Sequence, residues 1–188
     1  MEKWNKWWVW TILVIVVLVL WTVGVYNGMI YKDQNVAQNW SQIENQLQRR
    51  YDLIPNLVST VKGYAKYEKS VFEEVTRARS AWAGARNTSE KVQAANNMEG
   101  ALGRLIAVAE NYPQLKASEN FRALQDELAG TENRIAVARM RYNEAVQDYN
   151  VSAKRFPAVI VVRMSGFDGK KEFFKTIEEA KQAPKVVF

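Results

Sequence analysis

The chain has neither cysteine nor histidine among its 188 residues. That excludes disulfides, thiolate nucleophiles, imidazole general bases and the usual zinc ligand sets. It leaves the compartment open, because reducing and oxidising environments both tolerate a cysteine-free chain. Glycine, at nine, is scattered and forms no phosphate-cradling loop; GYAK, residues 63–66, falls inside a helical pattern. Acidic residues are outnumbered, 20 against 26 Lys and Arg, for a formal charge of +6. A basic balance suits anionic lipid and nucleic acid alike. Tryptophan, by contrast, is plentiful at seven.

The tryptophans frame a membrane segment. WWVWTILVIVVLVLWTVGVY, Trp7 to Tyr26, is uncharged throughout, about 20 residues or about 30 Å of helix, the thickness of a hydrocarbon core. Trp4, Trp7, Trp8 and Trp10 gather at one end, and Trp21, Tyr26 and Tyr31 mark the other, as aromatic belts do. A cleavable signal peptide would have a shorter apolar run and a small-residue cleavage site, which VGVYNGM does not offer. The segment reads as an uncleaved anchor. Lys3 and Lys6 precede it and Lys32, beside Asp33, follows, so the positive-inside rule favours a cytoplasmic N-terminus and an external domain. Gly24 and Gly28 stand four apart, a spacing read either as a helix-packing notch or as incidental.

Beyond the anchor, apolar residues recur in threes, fours and sevens from Val36 through Trp40, Ile43, Leu47, Ile54, Leu57, Val61, Tyr64, Val71 and Val75 to Trp82. This heptad-like, coiled-coil seam predicts one long helix, about 70 Å if straight. It stops in the turn composition AGARNTS. Asn87, with Glu90 three residues on, predicts the cap of a second helix that ends at Pro113. A third opens at Ser118, with a seam from Phe121 through Thr131, Ile135, Tyr142 and Tyr149 to Phe156, and Pro157 closes it. The next stretch reads differently: Val159, Ile160, Val161 and Val162 are a β-branched run bounded by proline and a glycine turn, which predicts a strand. A helix over residues 170–182 follows, and Val186, Val187 and Phe188 predict a second short strand that pairs with the first. The expected fold is all-α: a single N-terminal transmembrane helix (residues 1–31), an antiparallel long-helix bundle of the four-helix type (32–156) and a small mixed α/β C-terminal tail (157–188).

NWSQIENQLQRRYDLIPNLVSTVKGYAKYEKSVFEEVTRARS, Asn39 to Ser80, resembles the first signature of the bacterial LemA family. NYPQLKASENFRALQDELAGTENRIAVARMRYNEAVQDYN, Asn111 to Asn150, resembles its second, and Arg155, Phe156 and Pro157 its usual close. The resemblance implies a helical-bundle domain tied to a membrane by one N-terminal segment. Family members with a lipoprotein cysteine imply an extracytoplasmic domain; that cysteine is absent here, so lipid anchoring does not carry over. VIVVRMSGF is more β-branched and more basic than the family's usual stretch. No established activity comes with the resemblance.

The chemistry of the chain points away from catalysis. Without histidine, a bundle-type di-metal site cannot be built. Glu73–Glu74 and Glu178–Glu179 are adjacent and face different ways on a helix. Ser59, Ser70 and Ser80 pair with surface lysines only nonspecifically. No catalytic residue, metal site or cofactor is expected. Arg49, Arg50, Arg77, Arg79 and Arg86 form a basic stripe, but Glu68, Glu73 and Glu74 interrupt it, and an external domain would not meet nucleic acid.

Assembly remains. Pro55 inside the first helix removes a hydrogen bond from the Tyr51 carbonyl, and Asp52, Arg49 and Arg50 are placed to cap the groups it frees, so RRYD-IP reads as a hinge. Val36, Trp40, Ile43 and Leu47 lie before it, at a level the shorter second helix does not cover. Either this seam is buried within its own chain or it meets a neighbouring subunit or another envelope membrane protein. Glu127, Glu132, Arg134, Arg139 and Asn143 of the third helix are expected to pair across to Arg49, Arg50 or Asp52. The expected protein is a self-associating scaffold of the bacterial inner membrane, with the bilayer as partner. The alternatives are an adaptor for a membrane protease or transporter and a lipid-remodelling coat.

Overall fold

A computed structural model describes residues 7–65 and 67–175. Every regular element among them is a helix: α1 (Trp7–Tyr64), α2 (Lys69–Gly84), α3 (Thr88–Glu110), α4 (Pro113–Lys116), α5 (Glu119–Lys154) and α6 (Ala158–Ser165). α1 is 58 residues long and carries Pro55 within it. The chain passes through Pro55 without leaving the helix. The seven-residue step from Leu47 to Ile54 keeps both side chains on one face, and both are buried.

The described residues form two compact units. One comprises α1 up to Ser41 with Met140–Phe173; the other comprises Gln42–Arg139 with Phe174 and Lys175. In the second unit the expected long first helix is corrected. It ends at Tyr64, and the chain reverses before α2. Lys62 lies over the Phe72 ring at 5.3 Å, and the Tyr51 and Trp82 rings sit 4.8 Å apart. As one number rises the other falls, so α1 and α2 run antiparallel. The seam does not announce the reversal because its step from Tyr64 to Val71 is seven residues; the structure buries Ala65 and Phe72, one residue on and also seven apart, and leaves Tyr64 exposed. A turn fits inside that step without changing the apolar phase. Reversal lets Phe72, Val75 and Ala78 bury against other helices, a gain of roughly 1.5–3 kcal/mol for each larger side chain.

The start of α3 agrees with the sequence. The Asn87 side chain accepts the Glu90 N–H at 2.8 Å, and the Glu90 carboxylate accepts from the Arg86 N–H at 2.7 Å. These reciprocal bonds satisfy backbone donors at the helix start. α3 then packs Ala95, Met98, Leu102, Leu105 and Ala109 inward. Pro113 opens the one-turn α4, where a missing N–H costs nothing. α5 buries Phe121, Leu128, Thr131, Ile135, Tyr142 and Tyr149.

In the first unit α1 and α5 are also antiparallel. Lys32 pairs with Asp148, and the Trp40 ring meets Tyr142 at 5.5 Å. The apolar segment from Trp7 onward is exposed along its length, and burial begins with Val25, half-buried, and Met29, buried.

The expected tail strand is overturned. Val159, Ile160, Val161 and Val162 belong to α6, whose C-cap is Gly166 at φ 73°. That left-handed position suits glycine, which has no Cβ to clash. A lone β-branched run gains nothing from extension without a neighbouring strand, whereas a helix satisfies its own backbone. Val161 and Val162 face inward. Phe156, expected on the third seam, is exposed instead. Residues 170–175 are not helical, against the expected helix over 170–182. Val186, Val187 and Phe188 lie outside the described residues.

Candidate functional site

The seam residues before Pro55 are buried within the chain itself. Val36, Ile43 and Leu47 all lie in the core, and Trp40 is half-buried. Pro55 and Asp52 face solvent.

The arginines beside them are paired. In the second unit, Arg49 donates to the Glu127 carboxylate through Nη2 at 2.6 Å and Nε at 3.1 Å, and Arg50 donates to Glu132. Those two acids are among the α5 partners the sequence singled out. Arg134 stands 3.9 Å from Glu127. Arg139 reaches Glu99 of α3 at 3.5 Å and covers the Phe174 ring at 4.6 Å. Lys91 binds Glu44 and lies over Trp82. The capping role expected around Pro55 is therefore corrected. Arg49 and Arg50 reach α5 carboxylates, and Asp52 accepts from Gln48 at 2.8 Å. Buried Tyr51 sits among these groups. Burial pushes its phenol well above the usual range, against the opposing pull of Arg50 and Arg139. Glu127, Glu132, Glu99 and Glu44 each hold a cation, so they are suited to fixing helix register.

An open cleft of about 630 Å³ lies beside Phe72, rimmed by Lys62, Lys69, Arg77 and Glu73. The Ser80 hydroxyl on its edge donates to the Thr76 carbonyl at 3.0 Å, a local helix bond without a base behind it. No group of three or more acidic side chains among the described residues stands close enough to hold a metal ion.

The first unit holds a polar latch that the sequence reading missed. Three α5 side chains grip the backbone after α6. The Tyr142 and Tyr149 hydroxyls donate to the carbonyls of Glu172 and Asp168 at 3.0 and 2.8 Å. The buried Asn150 amide takes both backbone groups of Lys171, donating at 2.9 Å and accepting at 2.7 Å. The Lys171 ammonium then bridges Asp33 of α1 at 3.0 Å and Asp168 at 2.6 Å. Burial alone would lower its pKa; the bonds to Asp168 and Asp33 outweigh it and push the value up to about 12. The hydrogen bond to Lys171 holds Asp168 below its ordinary range. The available signal was Asn150, a polar residue directly after Tyr149 of the α5 seam.

Comparison with known proteins gives one family model, described as LemA family, matching residues 39–188. Magnetosome protein MamQ 2 of Paramagnetospirillum magneticum is 27% identical over 176 residues, covering 80% of this chain and 64% of the relative. Magnetosome protein MamQ of Magnetospirillum gryphiswaldense is 26% identical over 175 residues, covering 79% and 64%. Protein LemA of Metamycoplasma hominis is 26% identical over 123 residues, covering 64% and 56%. The chain thus spans less than two thirds of the length of these relatives.

Proposed function

From the premise that this chain belongs to the LemA family, we propose that it is a non-enzymatic, membrane-anchored scaffold of the bacterial cell envelope. One observation carries the reading. The apolar segment from Trp7 and the helix that enters the folded domain are a single element, and core packing begins at Met29, three residues past Tyr26. A domain joined to its anchor by continuous helix is held at the bilayer at a fixed height, which suits a platform more than a tethered enzyme. The absence of cysteine and histidine from the sequence supports the non-enzymatic part. Lysines on the N-terminal side of the span support a domain outside the cytoplasmic membrane. The magnetosome assignment is that of the MamQ relatives.

Within this reading, self-association falls to the outer helix faces, since Val36, Ile43 and Leu47 are buried in their own chain. The native mass of the detergent-extracted full chain, compared with a version beginning at Asp33, tests it. A defined homo-oligomer supports the scaffold. Co-purification of one dominant unrelated protein with a monomer would favour an adaptor instead. Protease added to spheroplasts should cleave the domain; protection until lysis would place it in the cytoplasm.

A further inference from the structure

Helix α6 is short and lies in the first unit with the exit of the apolar segment. Both of its ends stand at the level of that exit. Lys32 pairs with Asp148, and antiparallel α5 continues six residues from there to its end at Lys154. Six residues are about 9 Å of rise, which brings the end of α5 level with Tyr26. After α6 the chain returns to the same place, where the Phe167 ring lies 5.5 Å from the Tyr26 ring. Tyr26 stands near the outer end of the uncharged run that begins at Trp7 and stops before Lys32. A helix of eight residues, about 12 Å long, whose two ends meet one level of α1 lies across the axis of α1.

Its two faces differ. Val161 and Val162 are buried, while Phe156, Ile160 and Met164 are 81%, 49% and 83% exposed at steps of four. That spacing sets Ile160 and Met164 on one face of α6, and Phe156 stands exposed in the turn just before the helix. Exposed apolar side chains scattered singly need no explanation, but two large ones on one face of a short helix with a third at its entry do. Basic residues accompany them. Lys154, Arg155 and Arg163 are all exposed, and residues 151–167 contain no acid. Apolar side chains flanked by cations match the layer where acyl chains meet phosphates.

We propose that α6 is an interfacial helix. In this arrangement Phe156, Ile160 and Met164 insert into the outer edge of the bilayer beside the anchor, and Lys154, Arg155 and Arg163 meet anionic headgroup phosphates. The proposal rests on the anchor reading and adds a second membrane contact to it. An in-plane contact beside one spanning helix removes the domain's freedom to tilt and rotate about that helix. The β-branched, basic composition that suggested a strand suits such a contact.

The absence of native cysteine makes a direct test possible on the full chain. Single substitutions Met164→Cys, Val14→Cys and Gln38→Cys each receive an environment-sensitive fluorophore. Each protein is reconstituted in phosphatidylcholine–phosphatidylglycerol vesicles carrying nitroxide-labelled acyl chains. Met164 and Gln38 are exposed, so neither change disturbs the core. A helix seated roughly 5–10 Å into the headgroup and acyl boundary should give a blue-shifted emission at position 164. That emission should be quenched by shallow nitroxides, while position 38 stays unquenched. Quenching at position 14 with none at 164 would overturn the proposal and leave the anchor standing. A blue shift at 164 without lipid quenching would overturn it too, by showing a protein contact. No quenching at 14 would overturn the anchor reading and this proposal together.

Discussion

The Lys171 ammonium lies 3.0 Å from the Asp33 carboxylate, fastening the segment after α6 to helix α1. The same ammonium holds Asp168, and Asn150 holds the Lys171 backbone. The fastening should be pH-dependent in a stated direction. The Lys171 pKa is raised to about 12, so its contribution is fully present below the unfolded value near 10.5 and is lost as pH rises through 12. Asp168, whose pKa is lowered, contributes above its unfolded value and loses that contribution at acid pH, below it. The melting temperature should therefore fall by a further step as pH rises from about 10.5 to 12. Lys171→Met should abolish that alkaline step, and an unchanged profile in the variant would dismiss the latch.

Burial of the seam within one chain predicts how it responds to truncation. Ile43 is fully buried, so Ile43→Ala should destabilise the fold by about 2–5 kcal/mol. The melting temperature should fall while the assembly mass of the folded fraction stays unchanged. A lost oligomer with an unchanged melting temperature would reassign the seam to a subunit contact.

Two neighbouring arginines should behave unequally. The Arg50 side chain is mostly buried and the Arg49 side chain about half exposed. Glu132→Gln leaves the Arg50 charge without its partner in a half-dry place and should destabilise by about 1–3 kcal/mol. Arg49→Ala removes an exposed pair and should change stability by less than about 1 kcal/mol. Denaturant titration of both variants measures the contrast. Equal effects would argue against the burial difference as the cause.

Pro55 lies on the solvent side of a continuous helix. Pro55→Ala restores a backbone donor four residues beyond Tyr51 and removes a ring that crowds its carbonyl. The variant should be more stable, by up to about 3 kcal/mol. A loss of stability would show that the fold depends on a bend there.

Several features were legible in the sequence because local chemistry alone decides them. An uncharged run of bilayer length forms one apolar helix that fits a membrane anchor, and the Asn87–Glu90 pair satisfies its own backbone neighbours wherever the helix goes. Pairing of Arg49 and Arg50 with Glu127 and Glu132 was also foreseeable, since charges beside an apolar seam must find partners once the seam closes. Other features depended on distant residues. The reversal after Tyr64 has no proline or Asn-Gly to mark it, and a seven-residue apolar step continues through a turn as easily as through a helix. Residues 159–162 carry strand-like side chains, yet among the described residues no strand stands beside them, so backbone self-satisfaction and the Gly166 cap decided for helix. The Asp33–Lys171 contact joins residues far apart in the chain. Periodicity reports which face of a segment is apolar, whereas the partner of that face is fixed only when the helices pack.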